Sequence, residues 1–201
     1  MKLVYTEADH AYRTDGQLVP SLTQMLEADG CSAHLNSAPP SVVKAKAEWG
    51  TALALALQKV EYGFGVDKDF KQHCVDWLMC SERMGWGKDH CPIWKNCELP
   101  VLADVDGFIF GFTPDRAAPQ AVVEIKGTYA MHYSHGIQTA LQVLGMKYGK
   151  DTPRFVAYFD KEGMKKLVTC GDTIKRDGQV LSVWGEAERI LFEYAWTPEA
   201  A

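Results

Sequence analysis

The sequence predicts an α/β or α+β fold in which helices flank a central mixed β-sheet. Apolar runs typical of strands lie near residues 98–105, 107–113, 120–126, 154–160 and 166–170. Amphipathic patterns typical of helices lie before, between and after them, at 22–28, 40–60, 68–80, 134–148 and 176–195. Helices on both sides of a sheet define this class. At 201 residues the chain is long enough to bury one sizeable core, so we expect a single domain over 1–201.

Local signals justify the first elements in turn. Asp15 and Gly16 form a turn signal for a small hairpin near the N-terminus. Ser21 is a good N-cap for the short helix that follows, and Gly30 ends it. The long second helix is stopped by Gly63.

An acid and a base share one face of the third strand. Because side chains alternate along a strand, Glu124 and Lys126 point the same way while Ile125 points into the core. The apolar run Phe108–Phe112 ends shortly before Asp115, and we expect this run to pair with the third strand as a hairpin. Charges on a strand built for burial are costly unless they are paired or hold a metal.

These residue types suit the hydrolysis of a phosphodiester. Asp115 and Glu124 offer the hard oxygen ligands that Mg²⁺ or Mn²⁺ prefers. Lys126 adds a cation that orients water or stabilises charge on a phosphate. The residues alone leave an alternative open, in which Glu124 and Lys126 form a structural pair and Asp115 serves the turn after Pro114.

One stretch of the sequence resembles the motif of the PD-(D/E)xK nuclease superfamily. It consists of Pro114-Asp115 and Glu124-Ile125-Lys126, with eight residues between the two parts. The resemblance implies a restriction-endonuclease-like core, with the motif on a strand hairpin between helices. It implies catalytic roles for Asp115, Glu124 and Lys126. The two carboxylates and the Ile125 carbonyl would hold Mg²⁺, with Mn²⁺ as a substitute.

Two further segments extend the resemblance. Val19–Leu26 is similar to the N-terminal signature of phage-type, lambda-exonuclease-like exonucleases, and Glu48–Ala56 to a helix of the RecB-like branch. That helix carries a histidine metal ligand in the family, but Leu53 occupies the nearest position here. Glu98 matches an acidic position near the metal. The resemblance therefore implies a metal centre made of oxygen ligands only.

The helix after the motif carries a polar stripe. His135, Gln138 and Gln142 fall at i, i+3 and i+7 and share one helix face. RecB-like nucleases have Gln-x-x-x-Tyr in this place, so the resemblance implies that Gln138 is an active-site hydrogen-bonding residue. Gln142 stands where the tyrosine is expected. The alternative is an ordinary stripe that faces solvent.

Charge distribution bears on the partner. The net charge is −5, but residues 126–176 carry 9 Lys/Arg against 4 Asp/Glu. This basic part is compatible with DNA, although a solvated surface explains it equally well. The candidate nucleic-acid contacts are Ser21, Thr23, Gln142 and Lys147.

Cysteine usage and hydropathy bear on the compartment. Cys74, Cys80, Cys91 and Cys97 lie close together, but their spacings lack the Cys-x-x-Cys pattern of structural zinc. Free thiols in a reducing cytosol are favoured over a metal role. No apolar run has membrane-spanning length and no signal peptide is recognisable, so we expect a cytoplasmic protein with no membrane partner.

Three functions remain open from the sequence. The first is a Mg²⁺-dependent deoxyribonuclease, an exonuclease of phage-type recombination or DNA repair. The second is an endonuclease or nickase on the same core, and the third is a catalytically degenerate protein that binds nucleic acid. The resemblance further implies a homo-oligomeric ring around DNA and a single-strand annealing partner.

Overall fold

The computed structural model describes residues 3–6, 11–31, 39–88, 91–127 and 132–196, and these ranges contain thirteen strands and five helices. The strands are β1 (Leu3–Thr6), β2 (Ala11–Thr14), β3 (Gln17–Val19), β4 (Gly87–Lys88), β5 (Cys91–Pro92), β6 (Val101–Val105), β7 (Phe108–Phe112), β8 (Arg116–Ala118), β9 (Ala121–Lys126), β10 (Arg154–Asp160), β11 (Gly163–Thr169), β12 (Thr173–Arg176) and β13 (Gln179–Ser182). The helices are α1 (Leu22–Ala28), α2 (Pro40–Glu61), α3 (Lys71–Met84), α4 (Tyr133–Gly145) and α5 (Val183–Trp196). The mixture of helices and sheets confirms the predicted α+β class.

Four strands form a mixed sheet in the order β11-β10-β9-β8. β9 runs parallel to β10, whereas the β8–β9 and β10–β11 pairs are antiparallel. A parallel pair requires a crossover connection, and α4 supplies it while packing on both strands. In the parallel register Glu124 lies opposite Val156, and Lys126 lies opposite Tyr158. The motif strand is therefore an inner strand of this sheet.

The two faces of β9 pack against different helices. Ile125 belongs to an apolar cluster that includes Leu53 of α2 and Trp77 of α3. The other face carries Glu124 and Lys126, which hydrogen-bond to α4. This geometry confirms the predicted alternation, with Ile125 in the core and the two charged residues together on the opposite face.

The prediction that Phe108–Phe112 pairs with the motif strand is wrong. β7 pairs with β6 instead, because Asp106 and Gly107 adopt φ values of 52° and 87° and close a tight turn between them. These two strands form a separate sheet that packs against α1, α4 and α5. The hairpin partner of β9 is the short strand β8, which begins directly after Asp115. Asp115 thus lies in the connection between two sheets.

The last helix begins later than the sequence pattern predicts. The sequence pattern predicts a helix over 176–195. The first residues of this range instead form the turn and the second strand of the β12–β13 hairpin, and α5 starts at Val183. Asp177 and Gly178 have φ values of 51° and 80°, so the chain reverses there instead of entering a helix. None of the helices within the described ranges combines the length and apolar character needed to cross a bilayer.

A substitution at Gly145, at the end of α4, tests how closely the β6–β7 sheet packs on this helix. A Cβ atom there would lie 2.6 Å from Phe112 Cε1 and 3.0 Å from the Ala103 Cβ. We expect Gly145→Ala to lower the free energy of unfolding by about 1–3 kcal/mol in urea denaturation, since overpacking forces its neighbours to move. The matched control is Gly50→Ala in α2, where a Cβ meets no atom within 4 Å. Helix propensity predicts a gain of about 0.5–1 kcal/mol there, and equal losses at both positions would contradict the packing described.

Candidate active site

The end of β9 brings two opposite charges into contact. Lys126 Nζ donates to Glu124 Oε1 at 2.7 Å, as the two-residue spacing along a strand allows. Lys126 also donates to Gln138 Oε1 at 3.0 Å. Its side chain is 24% exposed and that of Glu124 only 7%. The Lys126 side chain is therefore the more exposed member of this pair.

Helix α4 supplies amide donors to the Glu124 carboxylate. Gln138 Nε2 donates to Oε1 at 2.7 Å, and Gln142 Nε2 donates to Oε2 at 2.8 Å. The two glutamines are four residues apart, so they lie on the same helix face, directly over β9. Both carboxylate oxygens are thereby hydrogen-bonded, which offsets the cost of burying their charge.

Asp115 is held against the same strand from the β7–β8 connection. Its Oδ2 accepts a hydrogen bond from the backbone N–H of Ile125. The three motif residues therefore converge, although Asp115 does so from outside the hairpin.

The electrostatics of the site are those of crowded carboxylates. Burial and the neighbouring Glu124 and Glu98 carboxylates raise the pKa of Asp115 well above its usual range, against the opposing effects of Lys126 and the Ile125 N–H. Burial opposes the charge on Lys126, but the Glu124 and Asp115 carboxylates outweigh it and raise the pKa of the ammonium group. The site thus opposes ionisation of Asp115, and Lys126 is held in its cationic form.

A buried ion pair lies behind the site and was not found from the sequence. Arg116 is fully buried, and its Nε donates to Glu61 Oε2 at 2.6 Å. Glu61 Oε1 accepts further hydrogen bonds from the indole N–H groups of Trp77 and Trp94, both at 2.8 Å. Arg116 Nη1 also donates to the backbone carbonyl of Asp115 at 2.7 Å. The guanidinium therefore fixes the segment that carries Asp115 to α2.

Glu98 contacts Arg116 of this ion pair and also lies beside the carboxylates of the site. Its Oε1 accepts from Arg116 Nη1 at 3.1 Å, and its charge is close enough to contribute to the raised pKa of Asp115. Glu98 itself has a raised pKa, first because of burial, with Arg116 opposing and Glu124 reinforcing the shift. The structure thus places Glu98 beside the two motif carboxylates but bound to an arginine.

The candidate nucleic-acid contacts lie in different places. Gln142 is only 1% exposed and is bonded to Glu124, so it lies inside the site and not on a surface open to nucleic acid. Ser21 caps α1 by accepting from the Gln24 N–H, and Thr23 is exposed in the first turn of that helix. Lys147 is exposed just beyond the C-terminal end of α4, whereas Gln138 lies in the first half of that helix. Only Gln142 among the four touches a motif residue in the hydrogen bonds described.

The basic segment is partly structural. Arg154 is almost fully buried and donates to the carbonyls of Gly136 and Gly171, and Lys150 forms an ion pair with Glu188. Lys165 pairs with Asp160 at 3.2 Å. These side chains already form hydrogen bonds or ion pairs within the protein. The excess of basic residues in the sequence therefore overstates the positive charge that the surface presents to a partner.

The six cysteines carry free thiols in this structure, and their positions are Cys31, Cys74, Cys80, Cys91, Cys97 and Cys170. Among the residues that the structure describes, no three His, Cys, Asp or Glu side chains are grouped in a way that holds a metal ion. Asp115 and Glu124 are therefore not part of such a group of three within the described residues.

The donor set nevertheless fits a hydrated divalent cation. Burial and the neighbouring Glu124 and Glu98 carboxylates make the ionised form of Asp115 costly, and a bound cation would offset that cost. The buried Gln142 Oε1, next to Glu124, has no hydrogen-bond partner among the described residues. An acceptor of this kind suits the water ligands that Mg²⁺ retains in proteins. Leu53, where the family resemblance expects a histidine, is instead fully buried in the apolar cluster under Ile125.

Comparison with known proteins gives one structural likeness. No protein-family model and no curated protein sequence matches this chain. The structure is similar to that of a candidate exonuclease from Eubacterium rectale, with a TM-score of 0.43 and 12% sequence identity. The matched region covers 73% of this chain and 64% of that chain.

The buried ion pair behind the site makes a stability prediction. Glu61→Ala leaves the fully buried Arg116 without the closer of its two carboxylate partners, and we expect a loss of about 3–5 kcal/mol in the free energy of unfolding. The control in the same helix is Glu48→Ala, which breaks an exposed pair with Lys44 at 3.8 Å and is expected to cost less than about 1 kcal/mol. Urea denaturation measures both. Similar small losses for the two variants would show that Arg116 is not anchored through Glu61.

Proposed function

We propose that this protein is a metal-dependent deoxyribonuclease that hydrolyses phosphodiester bonds in DNA. The observation that carries the proposal is the convergence of Asp115, Glu124 and Lys126 at one end of β9, under the two glutamines of α4. A structural Glu–Lys pair alone would not need the second carboxylate of Asp115 beside it. The arrangement instead places two carboxylates where they could bind one cation, beside the ammonium group of Lys126.

Asp115 and Glu124 would hold Mg²⁺, with Mn²⁺ as a substitute, and the family resemblance adds the Ile125 carbonyl. When bound, such an ion polarises a phosphoryl oxygen and lowers the pKa of water. Glu98 is a weaker candidate ligand than the sequence suggested, since Arg116 binds one of its oxygens.

The protein's own side chains have different roles in the proposed reaction. Lys126 presents positive charge where negative charge develops on the phosphate, and its hydrogen bonds to Glu124 and Gln138 fix the direction of its Nζ. Gln142 holds the second oxygen of Glu124. In the overall reaction a water oxygen bonds to phosphorus and the bond to the leaving sugar oxygen breaks. One proton of the water goes to that oxygen, and the other is released.

We propose the exonuclease mode, within phage-type recombination or DNA repair. The segment Val19–Leu26, which resembles phage-type exonucleases, is joined to the strand that leads to Asp115, since the Gly111 N–H donates to the Pro20 carbonyl. Ser21 and Thr23 follow Pro20 in this segment and stay candidate DNA contacts. A ring of subunits and an annealing partner belong to the same proposal. The mass of the protein in solution tests the ring.

The reaction mode is tested with linear, closed circular and single-stranded DNA, each with Mg²⁺ and then with EDTA. We expect linear DNA to be degraded from its ends in Mg²⁺ and to be spared in EDTA, because the carboxylates alone supply no Lewis acid. Cutting of closed circles would favour the endonuclease or nickase. Absence of cleavage with Mg²⁺ and with Mn²⁺ would overturn both enzymatic readings and leave a binding protein.

Lys126→Ala tests the catalytic cation. We expect cleavage to fall by about 10²-fold or more, the magnitude seen when a group that stabilises transition-state charge is removed. The fold, followed by circular dichroism, and DNA affinity measured in EDTA should change little. The control is Lys59→Ala, an exposed lysine in the last turn of α2, which packs on the other face of the sheet. Wild-type cleavage by Lys126→Ala would exclude the assigned role.

Asp115→Asn and Glu124→Gln test the metal ligands. Each removes one of the two anionic side chains, so we expect Mg²⁺ affinity in calorimetry to fall by about tenfold or more. Glu82→Gln, an exposed position on α3, is the control that changes net charge equally. If both site variants bind Mg²⁺ as the wild type does, the motif carboxylates are structural.

A further inference from the structure

A cleft opens beside the motif, at the beginning of α4. Its volume is about 280 Å³, close to the lower end of the roughly 300–1,000 Å³ typical of small-molecule sites. The residues that give it chemical character are His132, Tyr133, His135, Tyr158, Thr173 and Lys175. Four of these six carry aromatic rings, and Thr173 and Lys175 are exposed on β12.

The cleft adjoins the motif on the same face of the sheet. Tyr158 lies opposite Lys126 in the parallel register, so the two side chains project to the same side from neighbouring strands about 4.8 Å apart. His135 lies one helical turn before Gln138, which binds Lys126. A molecule seated in the cleft would therefore be next to the ammonium group that we propose stabilises the phosphate.

The rings form a continuous series across the cleft. Ring centroids are 4.3 Å apart between His132 and Tyr133, 6.1 Å between His132 and His135, and 5.8 Å between His135 and Tyr158. His135 Nδ1 and the Tyr158 hydroxyl are hydrogen-bonded at 2.9 Å, which fixes the inner two rings. Burial raises the pKa of Tyr158 to about 12, so its hydroxyl keeps its proton. Lys175 adds positive charge to the exposed side.

We propose that this cleft binds one nucleotide of the DNA strand, the unit that adjoins the phosphate being cut. Aromatic rings stack with any base, and a nearby lysine pairs with the backbone phosphate, which is the combination used for single-stranded nucleic acid. The proposal rests on the nuclease function proposed above, and it assigns the cleft as the place where an unpaired strand end is held. Binding of this kind would depend little on base sequence, since stacking is largely independent of base identity.

Binding is tested without cleavage, by NMR titration of the protein with deoxyadenosine 5′-monophosphate in EDTA. We expect shifts at cleft residues in the wild type. His135→Ala should weaken binding by about fivefold or more, the lower bound for loss of a base-stacking ring. Lys175→Glu should also weaken it, whereas Lys59→Glu, the same charge change at an exposed position of α2, should not. Tyr158→Phe keeps the ring and removes only the hydrogen bond to His135, and it should have a smaller effect than His135→Ala.

The cleavage assay then separates the two proposals. Loss of nucleotide binding together with a raised KM on linear DNA in the cleft variants, in proteins folded by circular dichroism, supports the cleft assignment. Wild-type nucleotide binding and cleavage in both His135→Ala and Lys175→Glu would overturn it while leaving the nuclease function intact. A wild type that binds the nucleotide in the cleft but cuts no DNA would overturn the nuclease function instead.

Discussion

The burial of the Glu124 carboxylate is the constraint on which the site depends. An inner strand of a sheet covered by a helix is an unfavourable place for a charge, and each neighbouring element supplies a group that offsets the cost. The same strand provides Lys126, and α4 provides the amides of Gln138 and Gln142. The crossover helix that the parallel β9–β10 pair requires for topological reasons is thus also the element that makes the site polar.

The second requirement is to hold Asp115 near Glu124 although the two residues come from different parts of the fold. The Ile125 N–H binds the Asp115 carboxylate, and Arg116 binds its backbone carbonyl. Arg116 is in turn fixed by Glu61, which two tryptophan side chains also contact. Burial, reinforced by the Glu124 and Glu98 carboxylates, raises the pKa of Asp115, so its ionised form is costly in the protein alone.

The sequence predicted the local part of this arrangement, and missed the part that depends on distant contacts. Strand alternation placed Glu124 and Lys126 on one face, and helical spacing placed Gln138 and Gln142 on one stripe, because both periods are fixed by backbone geometry. The apolar run Phe108–Phe112 does not itself indicate its partner, whereas the Asp106-Gly107 turn directly before it favours pairing with the preceding strand β6 and not with β9.

The ion pair behind the site gave only a faint signal in the sequence. Glu61 continues the buried stripe of α2 after Leu57 and Val60, and an acid in such a stripe indicates a buried partner. Arg116 lies 55 positions further along the chain, so no local pattern could identify it as that partner.

The measurement that tests the proposed metal site most directly is anomalous diffraction from crystals of the protein grown with Mn²⁺. We predict a peak about 2.1 Å from carboxylate oxygens of both Asp115 and Glu124. A peak elsewhere, or none, with the Lys126–Glu124 pair intact would contradict a metal-dependent site.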